Sequence, residues 1–275
     1  MRFSLGTIVR SSIFTLLTVL ASQGLVFAQY TMLFNDEFNS STVDTYKWDD
    51  GSWQMGRTYL SNTAKIQKAS GLSFATLQFD TYNPNFPGSL FRGGEFYSLR
   101  TFPFPKTGQG LKFEARVRVR TETRGLVASF FTWGGRRTAT TVLSDEVDFE
   151  YLTSYPANHL LLTSWNDWDY LTPTYRDNIH HTDSLVAVGG LNRNAWTTLQ
   201  LRWLKDRLEW YVNGVLAWST KNAHPNDPMG VRFSFWAPEA KWIGVYDHGL
   251  QPALSRAQNR SYFFDIDYVR VSKIP

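Results

Sequence analysis

The chain has 275 residues, and 43% of them are hydrophobic, which is enough to build a sizeable core. Its 28 lysines and arginines nearly balance 24 aspartates and glutamates, which favours neither nucleic acid nor an acidic polymer as a partner, and we predict no nucleic-acid partner. The absence of cysteine excludes disulfides, thiol chemistry and cysteine-based zinc sites. Aromatic residues make up 16% of the chain, which suits both the cores of strands and the stacking of sugar rings.

The N-terminal segment has the pattern of a secretory signal. Two arginines supply positive charge, residues 13–26 are largely apolar, and Val26–Ala28 has the small-residue pattern that precedes a signal-peptidase site. Polar residues interrupt the apolar stretch, which makes it a poor membrane anchor; an uncleaved anchor is the alternative. We predict removal of residues 1–28, a secreted protein without membrane contact, and one domain over residues 29–275.

Period-two alternation dominates the remaining chain. In residues 111–120 apolar side chains alternate with charged ones, which predicts a strand with one buried face. Asn213-Gly214 is a hairpin turn signal. Further strands are predicted at 126–133, 199–204, 207–212, 215–218, 231–236 and 262–271, with loops at 83–94, 170–195 and 237–260 and one short helical turn within 251–259. Ten or more strands in one domain favour an all-β sandwich.

Residues 144–152 are the most informative segment. Read as a strand, they place Glu146, Asp148 and Glu150 on one face and apolar residues on the other. Because neighbouring like charges destabilise a sheet face, three aligned carboxylates point to a specific role. Cleavage of a glycosidic bond is one such role: a carboxylate attacks or stabilises the sugar carbon while a protonated carboxyl group donates to the leaving oxygen. A central aspartate helps to separate the pKa values of its two neighbours.

An acidic, solvent-exposed edge strand and a calcium site also fit these residue types. Positions i and i+4 of a strand lie about 13 Å apart, whereas the two carboxyl groups of a retaining glycosidase lie about 5 Å apart. The two glutamate side chains would therefore have to lean toward each other. The spacing permits the glycosidase geometry without deciding it.

Residues 145–150 resemble the active-site strand of glycoside hydrolase family 16, in which Glu, an aliphatic residue, Asp, an apolar residue and Glu follow one another. Further segments resemble the family in the same order along the chain, namely residues 34–38 with Trp48, 93–96, 125–133, 208–214, 235–236 and 264–271. The resemblance spans nearly the whole chain after the signal. It implies an all-β jelly-roll sandwich of two antiparallel sheets with a concave substrate cleft.

The resemblance also implies a retaining mechanism, with Glu146 as the nucleophile, Asp148 as its assisting carboxylate and Glu150 as the acid/base. It implies substrate contacts from Glu95, Phe131, Trp133, Trp165, Trp236 and Trp242, although each of these aromatic residues could instead belong to the core. No cofactor is required on this basis. Asp267 is similar to a residue that binds a structural calcium ion on the convex side of some members.

The motif has no extra residue between Asp148 and Glu150. Lichenases and xyloglucan-active members share this uninterrupted form, whereas members acting on β-1,3-glucans often carry a bulge there. The expected substrate is therefore a β-1,3-1,4-glucan or a related β-glucan. Three departures weaken this expectation: Tyr97 replaces an arginine of lichenases, Ser144 replaces a tryptophan, and Ser234 replaces the asparagine before Leu-Trp. These positions contact sugars rather than break bonds.

The sequence thus predicts a secreted, monomeric, endo-acting β-glucan hydrolase whose partner is a polysaccharide. One alternative is a transglycosylase acting on cell-wall glucan or xyloglucan, in which a sugar hydroxyl takes the place of water. A second alternative is a non-catalytic, lectin-like sugar-binding module. An intact acid/base pair argues against the module, because a binding protein has no need of it. The motif does not decide between hydrolysis and transfer.

Overall fold

The computed structural model describes residues 30–137, 139–169 and 180–275. The predicted signal peptide lies outside the described residues. Within the described part of the chain, no helix is long and apolar enough to cross a membrane.

The described residues form 17 strands and one 3-10 turn at Arg256–Gln258. The strands are β1 (Thr31–Asp36), β2 (Trp48–Asp50), β3 (Trp53–Met55), β4 (Thr58–Asn62), β5 (Lys65–Ala69), β6 (Leu72–Asp80), β7 (Phe91–Phe102), β8 (Gly110–Arg120), β9 (Val127–Arg137), β10 (Val142–Leu152), β11 (His159–Asp169), β12 (His181–Ala187), β13 (Thr197–Leu204), β14 (Leu208–Val212), β15 (Val215–Thr220), β16 (Met229–Trp236) and β17 (Ser261–Ile274).

The strands are arranged in two layers. In the first layer β7, β16, β9, β10, β11 and β12 pair in that order, and the short β2 and β4 pair with β7. In the second layer β15, β14, β13, β8 and β17 pair in order, followed by β1 and β6. The layers join where Asp80 of β6 pairs with Arg92 of β7. All of these pairings are antiparallel except that of β4 with β7. The two antiparallel layers confirm the predicted jelly-roll sandwich.

The alternation along β8 is confirmed. Leu111, Phe113 and the aliphatic residues that follow at every second position are buried, while the charged residues between them face outward. The predicted hairpin turn is confirmed as well, because Asn213 and Gly214 both have positive φ (49° and 81°) between β14 and β15. The 3-10 turn lies within the predicted helical segment.

Two predicted loops are partly wrong. β7 begins at Phe91, inside the predicted loop 83–94, and β12 lies inside the predicted loop 170–195. Among the described strands, β12 pairs only with β11 and lies at the edge of the first layer, so most of its side chains face solvent or the cleft. An edge strand of this kind lacks the apolar alternation by which sequence reveals a strand.

Four phenylalanine rings stack beneath the first layer and hold its central strands in register. Phe96, Phe233, Phe130 and Phe149 belong to β7, β16, β9 and β10, and successive ring centroids are 5.1, 5.2 and 5.7 Å apart with interplanar angles of 17°, 18° and 9°. Aromatic cross-strand pairs of this kind stabilise a sheet. Because side chains alternate along each strand, the neighbours of these phenylalanines point to the opposite, concave face.

Candidate active site

The register of the first layer arranges the concave face in rows that run across the strands. Residues of β9, β10 and β11 meet in three successive rows, which are Trp133, Glu146 and Trp165; Phe131, Asp148 and Thr163; and Ser129, Glu150 and Leu161. The three carboxylates therefore occupy the centre of the face. On the opposite side of β10, Val147, Phe149 and Tyr151 are each 1% exposed in the core, as the alternation predicted.

The carboxylates contact one another and the neighbouring strand. Asp148 hydrogen-bonds to Glu146, with the aspartic acid as donor. The Ser129 hydroxyl of β9 donates to Oε1 of Glu150 over 3.3 Å. In the second layer, Trp210 Nε1 donates to the carbonyl oxygen of Asp148 over 3.0 Å, which fixes the backbone of β10 at this point.

Burial raises the pKa of each carboxyl group, and neighbouring charges modify the effect. Burial raises the pKa of Glu146 to about 7, against the opposing effects of the Asp148 hydrogen bond and the Arg232 charge. Burial and then the charge of Glu146 raise the pKa of Glu150 to about 8. Burial, followed by the charges of both glutamates, raises the pKa of Asp148 well above its usual range.

The neighbours of the two glutamates favour different protonation states. The Asp148 hydrogen bond and the Arg232 charge favour an ionised Glu146, and the charge of an ionised Glu146 favours a protonated Glu150. A protonated Asp148 meanwhile donates to the Glu146 carboxylate. The cluster can thus present one nucleophilic carboxylate and one proton donor to a bound molecule, as glycosidic cleavage requires.

The carboxylates line a cleft with a volume of about 910 Å³. All six predicted substrate-contacting residues line the same cleft, namely Glu95, Phe131, Trp133, Trp165, Trp236 and Trp242. The structure therefore brings together residues that lie up to 147 positions apart in the sequence. A cleft lined by aromatic rings and carboxyl groups has the residue types that stack on sugar rings and cleave the bond between them.

Aromatic pairs flank the carboxylates on both sides. The Trp236 and Trp242 rings lie 5.8 Å apart beyond the Glu150 end of β10. On the opposite side, the Trp165 ring lies 5.1 Å from Trp168 and 3.9 Å from the His181 ring. Flat apolar surfaces at both ends can hold several sugar rings of one chain.

The comparisons with known proteins agree with this geometry. The family model for glycosyl hydrolases family 16 matches residues 53–250. The chain belongs to this family. It is therefore a glycoside hydrolase, and the predicted family and enzyme class are confirmed.

Individual relatives of this family 16 chain are distant. A β-glucanase of Bacillus subtilis (strain 168) is 26% identical over 226 residues, which cover 80% of this chain and 81% of the relative. The structure of a prokaryotic β-1,3-1,4-glucanase (lichenase) from a mouse hindgut metagenome has a TM-score of 0.63 at 17% identity and covers 86% of this chain and 97% of its own. The catalytic domain of an endo-1,3-β-glucanase (laminarinase) from Thermotoga petrophila has a TM-score of 0.65 at 12% identity, covering 89% and 98%. These structures show a shared fold.

Glu95 lines the cleft, but its carboxylate already has partners within the protein. It is 1% exposed, accepts a hydrogen bond from Trp53 Nε1 at Oε2 over 2.6 Å, and forms an ion pair with Arg232 Nη1 at Oε1 over 2.9 Å. The prediction that Glu95 hydrogen-bonds substrate hydroxyls remains a prediction. In the structure its carboxylate orders the two side chains beside it.

Trp53 and Arg232 are cleft residues that the sequence interpretation missed. Trp53 belongs to the three-residue strand β3, where no periodicity marks the face of a side chain. Arg232 left a signal, because it is the single charged residue of a mostly apolar strand and shares a face with Ser234 and Trp236. An arginine among buried phenylalanines has to reach a partner or a cleft.

The predicted calcium ligand, Asp267, lies on β17 of the second layer, away from the cleft. Its Oδ2 forms an ion pair with Arg116 Nη1 over 2.8 Å, so a cation of the protein already neutralises this carboxylate. Calcium requires several oxygen ligands. A calcium ion at Asp267 remains a prediction, and no catalytic step depends on it.

Among the described residues, one group of three carboxylates lies close enough to hold a metal ion, with ligand atoms within 4.8 Å: Asp145, Asp167 and Asp227. Arg136 forms ion pairs with Asp167 (2.7 Å) and Asp227 (3.1 Å). Asp145 accepts hydrogen bonds from the backbone N–H groups of Asn226, Asp167 and Asp227 over 2.6 to 2.8 Å. These contacts satisfy the carboxylates and anchor the start of β10 to two neighbouring loops.

Proposed function

We propose that this family 16 chain is an endo-acting, retaining β-glucan hydrolase, with Glu146 as nucleophile and Glu150 as acid/base. The observation that carries the proposal is the row of Glu146, Asp148 and Glu150 along β10, in the centre of an aromatic-lined cleft. Arg232 and Asp148 favour the ionised form of Glu146, and the charge of Glu146 favours the protonated form of Glu150, as the two roles require.

In the first step, the Glu146 carboxylate attacks the anomeric carbon while Glu150 donates its proton to the glycosidic oxygen, so the leaving glucan segment departs as an alcohol. Asp148 donates a hydrogen bond to Glu146 and orients it for attack. In the second step, the ionised Glu150 removes a proton from water, the water oxygen attacks the anomeric carbon, and Glu146 leaves as a carboxylate. Both glutamates return to their starting states.

A β-1,3-1,4-glucan or a related β-glucan is the proposed substrate. The relatives named β-glucanases support a glucan. The fold alone does not select the linkage, since a lichenase and a laminarinase have nearly equal TM-scores, 0.63 and 0.65. The uninterrupted register of β10 with β9 across Asp148 and Glu150 supports the mixed-linkage substrate. The sequence features at the N-terminus support secretion, and we propose that the enzyme acts as a monomer.

A substrate panel tests this proposal. The purified protein should release reducing ends from mixed-linkage glucan faster than from laminarin, xyloglucan or agar, and the products should be oligosaccharides rather than glucose. Proton NMR during the first minutes should show the β-anomer of the new reducing end, because two displacements retain configuration. A changed chain-length distribution with little gain in reducing ends would indicate a transglycosylase. Folded protein that cleaves none of the panel would contradict the proposal.

A further inference from the structure

Arg232 places a guanidinium group in the cleft at the end where Glu146 lies. Its side chain is 21% exposed and lines the same cleft as the carboxylates. The guanidinium carbon lies 4.3 Å from the centroid of the Trp133 ring, and Trp133 pairs directly with Glu146 across β9 and β10. The positive charge therefore stands next to the row of the nucleophile.

Three contacts fix the position of this guanidinium. Glu95 pairs with Nη1 over 2.9 Å, and the rings of Trp133 and Tyr97 lie 4.3 and 4.7 Å from the guanidinium carbon. Tyr97 is itself held, since its hydroxyl donates to Oδ2 of Asp49 over 3.0 Å. Stacking between aromatic rings with a carboxylate at one edge leaves an arginine little freedom to move.

The surroundings of Glu95 reinforce this arrangement. Trp53 Nε1 donates to the carboxylate oxygen that Arg232 leaves unused, over 2.6 Å. A Cβ atom at Gly51 would lie only 2.5 Å from Oε2 of Glu95, so only glycine leaves room for the carboxylate here. The geometry thus serves to hold one arginine rather than to present Glu95 to solvent.

We propose that Arg232 is a positioning residue for the nucleophile, and that its fixed positive charge keeps Glu146 in the carboxylate form that attacks the sugar. This inference rests on the proposed function, because it presupposes Glu146 as nucleophile. A nearby cation favours the charged form of a carboxyl group. In agreement, the Arg232 charge lowers the pKa of Glu146 and opposes the effect of burial.

Position 97, where the resemblance to lichenases predicts an arginine, carries a tyrosine that contacts Arg232. Tyr97 of β7 is the direct cross-strand partner of Arg232 on β16. A guanidinium group is therefore present on the neighbouring strand at the same register, and Tyr97 forms part of the aromatic clamp around it.

Among the described residues, further charged groups line the same cleft and contribute to any pH profile. They are Asp148 and Glu150 on the strand of Glu146, Glu95 on β7, His181 and Asp183 on β12, and Lys241 in the loop after β16. A comparison of variants at position 232 with the wild type leaves each of these groups in place. A difference between two profiles therefore reports on Arg232 itself.

The test is the pH dependence of kcat/KM for wild type, Arg232→Met and Arg232→Gln on the best glucan of the substrate panel. Loss of the charge should move the acidic limb upward by about one pH unit. At pH 6 that shift lowers kcat/KM about tenfold, but at pH 8 only about twofold. Arg232→Lys, which keeps the charge, should restore part of the shift.

The matched control is Arg202→Met in the second layer, where the guanidinium stacks 4.2 Å from the Tyr211 ring on the outer face; its acidic limb should stay at the wild-type position. Circular dichroism identifies variants that do not fold, and Arg232→Gln carries the test if Arg232→Met is one of them. A folded variant with equal loss at every pH, or an equal shift in the control, overturns the inference. An inactive wild type would instead overturn the proposed function.

Discussion

The outer face of the second layer and the floor of the cleft both place carboxylates among aromatic rings, but only the outer face pairs each carboxylate with arginine. There Asp265, fully buried, accepts from Arg118 Nε at 2.8 Å and from Arg120 Nε at 2.7 Å. The two guanidinium groups in turn stack on Trp196 and Phe263, 4.4 and 4.6 Å from the ring centroids. On this face the charged groups and the aromatic rings bind one another and hold neighbouring strands together.

In the cleft, by contrast, the carboxylates outnumber the arginines that could pair with them. Glu146, Asp148 and Glu150 follow one another on a single strand, and the guanidinium of Arg232, which lines the same cleft, is paired with Glu95. Burial and like charges consequently raise the pKa values of all three groups. Burying three carboxyl groups together in the cleft costs folding free energy but prepares them to react with a substrate. The ion pairs of the outer face contribute stability that offsets this cost.

The largest effect should come from the two glutamates. Glu146→Ala and Glu150→Ala should each lower kcat by about 10³-fold or more on glucan. With an activated aryl glycoside and sodium azide, each variant should recover activity with a different product. Azide replaces the nucleophile in Glu146→Ala and gives the α-glycosyl azide, whereas it attacks the glycosyl-enzyme in Glu150→Ala and gives the β-glycosyl azide. NMR of the products distinguishes the two.

The outer face provides the control for this experiment. Asp267→Asn removes a carboxylate from β17 that is paired with Arg116, and its kcat on glucan should equal that of the wild type within about twofold. The same azide product from both glutamate variants would contradict the assigned roles.

The next effect concerns stability on the outer face. Asp265→Asn leaves Arg118 and Arg120 without their shared carboxylate, and hydrogen bonds to charged groups contribute about 1.5–3 kcal/mol each. We expect the free energy of unfolding to fall by about 2–3 kcal/mol in urea titrations, with kcat unchanged at temperatures where the variant is folded. A variant as stable as the wild type would show that the ion pairs of this face do not support the fold.

In the cleft, by contrast, removing a carboxylate should raise the free energy of unfolding. The folded-state pKa of Glu150 is about 8, above the ordinary glutamate value of 4.5, so the native state binds a proton that the unfolded state has lost between these pH values. Stability therefore decreases as the pH rises through this window. Glu150→Gln removes that penalty and should stabilise the protein by about 1–3 kcal/mol at pH 8.5.

The gain from Glu150→Gln should disappear at pH 4, where the glutamic acid is protonated in both states. Unfolding curves for wild type and variant at the two pH values measure it. An equal gain at both would point to better packing rather than to relief of charge.

Patterns along single strands were readable from sequence, and contacts between distant strands were not. Period two placed Glu146, Asp148 and Glu150 on one face because alternation is a property of one strand. The clamp around Arg232 joins residues 137 positions apart, and the pairing of Arg118 with Asp265 spans 147. Such contacts depend on which strands are neighbours and in what register, and residue spacing does not encode either.

The smallest effect should come from the aromatic surfaces. Trp236 lines the cleft and lies 5.8 Å from Trp242, whereas Trp196 on the outer face is covered by Arg118. Trp236→Ala should raise KM for glucan about three- to tenfold, equivalent to roughly 0.7–1.4 kcal/mol of lost stacking. Trp196→Ala should lower the melting temperature and leave KM unchanged. If Trp196→Ala raised KM equally, the outer face would also bind glucan, and the division between a stabilising face and a working cleft would fail.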